Sequence, residues 1–183
     1  MSAASISGVQ EATGSHRYRA FLSYSTAADG RLAPALQSAL QRFAKPWYRI
    51  RAFRVFRDRT GLAVTPALWT SIETALRDSG FFILLASPGA AESRWVEQEV
   101  DWWLRHRSAD RLLLVLTDGE IAWDTANGDF DWERTTALPR RLSHAFAQEP
   151  RFLDLRWART GRELTLRHPT FADGVARLAA TLR

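Results

Sequence analysis

The sequence predicts an α/β domain built around a doubly wound parallel sheet of five strands. Two short runs are strongly apolar, at residues 81–86 (FFILLA) and 111–117 (RLLLVLT), and both are too short for a core helix. Strands buried on both faces have this composition, and they occur in parallel sheets that helices cover on each side. Helical patterns alternate with the strand patterns along the chain, so the right-handed crossover rule favours the doubly wound arrangement.

The first half of the chain supplies two strands and two helices. Residues 18–24 form the first predicted strand, and Asp29-Gly30 leads into an amphipathic helix that ends at Pro46. Residues 51–56 read as the second strand, and residues 68–77 as the next helix. The connection between them contains Gly61 and Pro66 and is long for an α/β unit, which is typical of a functional loop.

The second half continues the alternation. The strand at residues 81–86 feeds a turn, after which Ser93 is predicted to cap a helix that runs to about Arg107. After the strand at residues 111–117 we expect a loop at residues 118–133, a short helix at 138–147, an edge strand at 151–155 and a last helix at 170–182. The last helix reaches the end of the chain without a glycine cap, which leaves room for further domains in a longer protein.

Length and composition fit one domain. A chain of 183 residues can bury a proper core, and residues 1–16 are small and polar without periodicity. We therefore expect a disordered lead-in at 1–16 and a domain at 17–183. The absence of cysteine excludes a disulfide framework and a thiol nucleophile. No apolar run approaches the ~20 residues of a membrane-spanning helix and no signal peptide is evident, so we expect a cytoplasmic protein without a membrane partner.

The net charge of +5 raises the question of nucleic-acid binding. The arginines are scattered through the chain, and no nucleic-acid motif accompanies them. Arginine in place of lysine, together with abundant alanine and leucine, indicates a GC-rich coding bias instead. We therefore expect no nucleic-acid partner.

Helical spacing separates the two glutamates that follow Ser93. Four residues recur at steps of four and three and form one apolar stripe toward the sheet: Val96, Val100, Trp103 and Leu104. Glu99 lies at the edge of that stripe, one turn from Trp95, whereas Glu97 lies toward the far side. A carboxylate partly buried beside aromatic surface has a raised pKa and attracts a cation strongly. A solvated position on the helix flank is the alternative interpretation of Glu99.

Other catalytic signatures are missing from the sequence. Neither a dinucleotide-binding glycine pattern nor a P-loop is found, and Ser87 lacks the G-x-S-x-G setting of a hydrolase nucleophile. The four histidines have no metal-ligand spacing. Four aspartates between residues 118 and 131 do not match a calcium-binding EF-hand loop. We therefore predict no metal site.

Three sequence boxes, in order and each on its expected element, resemble those of a TIR domain, the Toll/interleukin receptor fold. The first is AFLSYS at residues 20–25, and the second is VFRD at 55–58, followed by the BB loop up to Pro66. The third is SP at 87–88 with SRWVEQE at 93–99, which is similar to the S-x-W-x-x-x-E of NAD-cleaving members. The likeness covers about residues 18–182, and stretches at 123–132 and 153–157 resemble TIR domains of bacterial signalling or defence proteins.

The resemblance implies a flavodoxin-like five-stranded parallel sheet with helices on both faces, and an NAD glycohydrolase activity. In enzymatic relatives the glutamate that closes the third box is catalytic, and it matches Glu99. NAD is then the substrate, and no cofactor is expected. Water as the nucleophile gives ADP-ribose, and the adenine of the same molecule gives a cyclic product. The sequence leaves both products open.

The resemblance also implies substrate-binding residues. These are Tyr24, Ser25, Arg57, Asp58, Leu68, Trp69 and Trp95. Tyr24 matches an aromatic residue that contacts the nucleotide in relatives. Leu68 stands where relatives often have an aromatic residue, and Trp69 is next to it. Core packing is the alternative interpretation of Trp95, and structural capping is the alternative for Asp58.

In TIR enzymes the BB loop of one subunit helps to build the pocket of its neighbour. We therefore expect homo-oligomerisation through this loop, with activation by self-assembly in bacterial signalling or antiphage defence. Two other functions stay open: a non-catalytic TIR–TIR interaction scaffold and a nucleoside-processing hydrolase on a similar sheet. A carboxylate at position 99 favours the enzyme over the scaffold.

Overall fold

The structure is a computed structural model that describes residues 16–43, 55–57, 66–159 and 164–182. The strands are β1 (Tyr18–Ser23), β2 (Val55–Arg57), β3 (Ser79–Ala86), β4 (Leu112–Leu116), β5 (Trp123–Asp124), β6 (Asp129–Phe130) and β7 (Phe152–Asp154). The helices are α1 (Thr26–Asp29), α2 (Leu32–Phe43), α3 (Pro66–Arg77), α4 (Pro88–Ala91), α5 (Arg94–His106) and α6 (Pro169–Thr181). Short 3₁₀ turns lie at Ala109–Arg111, Arg140–Leu142 and Arg156–Arg159.

The main sheet contains five parallel strands in the order β2-β1-β3-β4-β7. The parallel α/β architecture predicted from the apolar runs is therefore confirmed. Crossovers from β1 and from β3 leave in opposite directions along the sheet, so a topological switch point lies between these two neighbouring strands. Crevices at such a point, outside the carboxyl ends of the strands, are where open α/β sheets hold ligands.

Helices cover both faces of the sheet. On one face, called here the α3–α5 face, α3 and α5 pack beside each other, and on the opposite α2–α6 face, α2 packs against α6. Alternate residues of β1 divide between the faces, with Phe21 on the α3–α5 face and Ala20 and Leu22 on the α2–α6 face. Phe21 therefore contacts the core under α3 and α5, whereas its neighbours Ala20 and Leu22 contact the core under α2 and α6.

Aromatic rings fix α5 on the sheet. Phe82 of β3 stacks on Phe21 of β1 with ring centroids 5.6 Å apart, and it contacts the Trp103 ring of α5 at 5.5 Å. All three side chains are fully buried. Removing a ring from such a stack would cost about 3–5 kcal/mol. The position of α5 along β3 is therefore closely determined.

The boundaries of most predicted elements agree with the structure within a few residues. Ser93 caps α5 as predicted, since its Oγ accepts a hydrogen bond from the Val96 N–H at 3.4 Å. The predicted lead-in at residues 1–16 lies outside the described residues except for His16, and so do residues 51–54 of the predicted second strand. Within the described part of the chain, no helix combines the length and apolar composition that a bilayer crossing requires.

The prediction of a plain loop at residues 118–133 is wrong, because β5 and β6 form an antiparallel hairpin there. Asp124 Oδ1 accepts hydrogen bonds from the Ala126 and Asn127 N–H groups at 2.9 and 3.2 Å. Gly128 closes the turn with a φ of 62°, in the left-handed region that favours glycine. The Asn127-Gly128 pair is the sequence signal that could have predicted this hairpin.

The predicted helix at residues 138–147 is also wrong, and only the 3₁₀ turn Arg140–Leu142 forms. The Asp129 carboxylate draws this segment away from helical geometry. It accepts hydrogen bonds from the Ser143 hydroxyl at 2.8 Å and the His144 N–H at 3.0 Å. His144 has a φ of 55°, which no regular α-helix contains. A distant carboxylate thus replaces local helical hydrogen bonds.

Asp129 is expected to stabilise the hairpin in its ionised form. Burial disfavours the charge, but hydrogen bonds from the His144 N–H, the Trp132 indole, the Ser143 hydroxyl and the Phe130 N–H lower the pKa to about 2. The pKa in the folded protein is below the ordinary aspartate value of 3.8, so the stabilisation is present above about pH 4 and is lost as pH falls through 2. We predict that Asp129→Asn lowers the free energy of unfolding by about 2 kcal/mol at pH 7.

Urea denaturation between pH 7 and pH 2.5 tests this prediction. The difference between wild type and Asp129→Asn should shrink below about pH 4. Asp173→Asn, at an exposed position on α6, is the control and should change stability by less than about 0.5 kcal/mol. A difference that is the same at both ends of the pH range would contradict the proposed ionised anchor.

Candidate functional site

A buried carboxylate lies at the carboxyl edge of the sheet, beside the end of β1. Glu99, in the second turn of α5, is only 2% exposed. Its Oε2 accepts a hydrogen bond from the Ser23 hydroxyl at 2.5 Å, and Ser23 itself is fully buried. Glu97 is exposed, as the helical spacing predicted. The structure thus buries Glu99 more completely than the partial burial expected from sequence.

The alternation of β1 brings Ser23 to this carboxylate. Ser23 ends β1 and has the same parity as Phe21, so its side chain points to the α3–α5 face. α5 lies on that face and presents Glu99 to the strand end. Sequence reasoning included Ser23 in the first box but did not identify it as the partner of Glu99. The period-two alternation from Phe21 was the available signal.

Two tryptophans stand near the carboxylate. Trp69 in the first turn of α3 and Trp95 in the first turn of α5 have ring centroids 6.2 Å apart, with an angle of 32° between their planes. The Trp69 Nε1–H donates to Glu73 Oε1 at 2.8 Å, which fixes the orientation of that ring. Leu68 is partly buried on the same face. Trp95 therefore lies one turn before Glu99 on α5 with Trp69 beside it, and Leu68 packs on the same face of the sheet.

Tyr24 and Ser25 lie on the other side of the sheet edge. Tyr24 is partly buried against the core of the α2–α6 face, opposite the tryptophan pair. Ser25 precedes α1 and makes no side-chain cap there. A Cβ at Gly89 would lie 3.2 Å from Ser25 Oγ, so α4 approaches this residue closely. Tyr24 thus lies on the face opposite the tryptophan pair, and Ser25 lies beside α4.

Arg57 closes β2, where its backbone pairs in register with Leu22. The side chain of Arg57 lies outside the described residues, and so do Asp58 and the rest of the BB loop up to residue 65. The roles of Arg57 and Asp58 stay predictions. Among the residues that the structure describes, no group of three His, Asp or Glu side chains could hold a metal ion.

The aspartates of residues 118–131 are committed to bonds within the fold. Asp118 pairs with Arg159 at 2.6 Å, and Asp131 Oδ1 accepts from the Glu133 and Arg134 N–H groups. Asp124 and Asp129 hold the hairpin as described above. These contacts give the four aspartates a structural role in the turns and in the hairpin.

The electrostatics of the Glu99 site suit a cationic ligand. A carboxylate beside indole rings in a low-dielectric environment attracts positive charge more strongly than one in water. Indole faces also stack on flat heterocycles and attract cations.

Two comparisons of the sequence with known proteins both show similarity to TIR proteins. The sequence model of the TIR domain family matches residues 20–148. The chain is 60% identical over 164 residues to the NAD(+) hydrolase ApTIR of an Actinoplanes species. That match covers 90% of this chain and 23% of the relative, so the chain spans less than a quarter of the length of that protein.

Solved structures give weaker similarities. A prokaryotic SEFIR domain superposes with a TM-score of 0.47 at 12% identity, covering 89% of this chain and 90% of that one. The TIR domains of the activated Roq1 resistosome give a TM-score of 0.43 at 16% identity, covering 90% of this chain and 81% of that one. Similarities at these TM-scores carry no weight for function.

The Ser23–Glu99 hydrogen bond should stabilise the fold measurably. We predict that Ser23→Ala lowers the free energy of unfolding by about 2 kcal/mol, because it removes a donor from a buried carboxylate. In a Glu99→Gln background the same substitution should cost less than half as much, since the bond to a neutral amide is weaker. Urea denaturation of the four proteins gives the coupling energy. Equal costs in the two backgrounds would contradict a charge-assisted bond.

Proposed function

The chain belongs to the TIR domain family, and we propose that it is an NAD glycohydrolase that cleaves the bond between nicotinamide and ribose. The observation that carries the proposal is the buried Glu99 carboxylate, hydrogen-bonded to Ser23 at the switch point of the sheet. The name of the Actinoplanes relative, an NAD(+) hydrolase, supports the same activity.

The chemistry requires a carboxylate but no strong acid. When the bond between ribose C1′ and the nicotinamide nitrogen breaks, the electron pair leaves with nicotinamide, which departs as a neutral molecule without protonation. Positive charge then develops on the ribose. Glu99 stabilises that charge at close range in a low-dielectric site, where a preorganised group is most effective. A paired acid and base of the glycosidase type is therefore not required.

The second half of the reaction needs a nucleophile. Water adds to C1′ and releases a proton, for which Glu99 is the general base, and the products are ADP-ribose, nicotinamide and H⁺. The adenine of the same molecule would instead give a cyclic product. Ser23 acts through Glu99, because its hydrogen bond holds the carboxylate in one orientation. Ser23 is thus a positioning residue.

The aromatic residues provide binding surface. We propose that Trp95 and Trp69 line the mouth of the crevice and stack on the heterocycles of NAD, with Leu68 completing the apolar wall. Tyr24 and Ser25 contact the nucleotide from the loop after β1. Arg57 and Asp58 meet the ribose or the phosphates from the head of the BB loop.

Self-association of the domain is part of the proposed function. We propose that the BB loop of a neighbouring copy contributes to the pocket, so that activity rises with self-association, in the setting of bacterial signalling or antiphage defence. NAD and other TIR domains are then the partners, in the cytoplasm. Further domains of a longer protein would control the association.

Substitution of Glu99 tests the reaction. Glu99→Ala should reduce nicotinamide release from NAD by at least about a hundredfold, since it removes the group that stabilises the developing charge. Glu97→Ala is the matched control on the same helix, and it should stay within about twofold of wild type because Glu97 is exposed. Nicotinamide, ADP-ribose and cyclic product are separated by chromatography, with concentrated or artificially oligomerised protein.

Two results would contradict the assignment. Release that survives Glu99→Ala would remove Glu99 from the mechanism. No release by wild type even when it is oligomerised would favour the non-catalytic TIR scaffold.

Trp69 is expected to supply stacking surface in place of the aliphatic Leu68. We predict that Trp69→Ala raises the KM for NAD about tenfold, because loss of a stacking ring costs ~1–3 kcal/mol per base. Trp69→Phe should recover most of that loss. Trp157→Ala, which removes a ring stacked on His168 on the α2–α6 face, is the control and should leave KM unchanged. An unchanged KM in Trp69→Ala would exclude this ring from substrate binding.

A further inference from the structure

A second buried carboxylate lies at the carboxyl edge, on the α2–α6 side. Asp29, the last residue of α1, is only 1% exposed, and its Oδ2 accepts a hydrogen bond from the Ser87 hydroxyl at 3.2 Å. Ser87 directly follows β3 and caps α4, since its Oγ also accepts from the Ala90 N–H at 3.2 Å. The Asp29–Ser87 bond therefore joins the segment after β1 to the segment after β3.

Packing reinforces this junction. A Cβ at Gly89 would lie 3.1 Å from the Ala28 Cβ and 3.2 Å from Ser25 Oγ, so α1 and α4 approach each other with little space between them. α1 directly follows Tyr24 and Ser25, and α4 leads through Ser93 into α5, which carries Glu99. The junction thus connects the segment that follows Tyr24 and Ser25 to the segment that leads into α5.

The surroundings of Asp29 disfavour its charged form. Its Oδ1 is buried and has no hydrogen-bond partner among the described residues, and the nearby Thr117 hydroxyl donates to the Ala86 carbonyl oxygen at 3.1 Å. Burial raises the pKa of Asp29, and the Ser87 hydroxyl and the Arg159 guanidinium only partly offset that effect. An ionised carboxylate in this position costs free energy.

We propose that Asp29 is a positioning residue for NAD cleavage: through Ser87 it fixes the loop that carries Tyr24 and Ser25 relative to the helix that carries Glu99. The inference rests on the proposed function. Glu99 is oriented separately by Ser23 on the other face. Release of the junction therefore displaces the nucleotide contacts more than the catalytic carboxylate, and it raises KM more than it lowers kcat.

Substitutions at Asp29 and Ser87 test the proposal. Asp29→Ala should raise the KM for NAD about tenfold or more with kcat within about threefold of wild type, as expected when a binding contact is misplaced. Asp29→Asn keeps a carbonyl oxygen for Ser87 and should restore wild-type KM at neutral pH. Ser87→Ala should match Asp29→Ala, and the double variant should be no worse than either. Asp173→Ala, at an exposed position on α6, is the control.

Comparison of Asp29→Ala, Asp29→Asn and the double variant distinguishes a positioning role of Asp29 from a requirement for its charge. Loss of activity in Asp29→Asn equal to that in Asp29→Ala would show that the charge itself is needed and would overturn the proposal. Additive effects in the double variant would also overturn it.

Hydrogen exchange supplies a measurement that does not depend on catalysis. In Asp29→Ala the Ala90 and Ala91 amides, which bond to the Ser87 carbonyl and hydroxyl, should exchange at least about tenfold faster than in wild type, and in Asp29→Asn they should not. Unchanged exchange in Asp29→Ala would overturn the junction whether or not NAD is cleaved. A wild-type protein that cleaves no NAD but shows this exchange pattern would instead contradict the proposed function alone.

Discussion

The hydrogen bond between Ser23 and Glu99 joins β1, a neighbour of the central strand β3, to the helix α5 that packs over the sheet, and the candidate site depends on this bond. A carboxylate that is 2% exposed must find donors within the protein, because burying it without them would cost several kcal/mol. Ser23 can supply one because residues 20–23 at the end of β1 alternate between the two faces and α5 is held in place by the Phe82–Trp103 contact. The geometry of the crevice is therefore a consequence of how the core is packed.

The sequence predicted those features that depend on local periodicity. The cap at Ser93, the inward stripe of α5 and the contrast between Glu99 and Glu97 all follow from helical spacing within one element. Apolar runs likewise predicted the buried parallel strands, because such a run is a property of a single element. Each of these predictions depends only on residues that are close together in the sequence.

The features that the sequence did not predict depend on contacts between distant segments. Ser23, which donates to Glu99, lies 76 residues away along the chain, and the register of β1 against β3 together with the packing of α5 brings the two side chains together. The predicted helix at residues 138–147 fails because Asp129 withdraws the Ser143 and His144 groups from helical bonding. The face on which Tyr24 packs follows from the length of β1, which apolar patterning does not define to one residue.

The tilted contact between Trp69 and Trp95 has an optical consequence. Two indoles whose centroids are 6.2 Å apart interact electronically, so they absorb and emit as a coupled pair rather than as isolated rings. Any flat molecule that enters beside them perturbs that coupling and gives a change in near-ultraviolet circular dichroism and in fluorescence. The Trp69–Trp95 pair thus provides a label-free signal for a flat molecule that binds beside it.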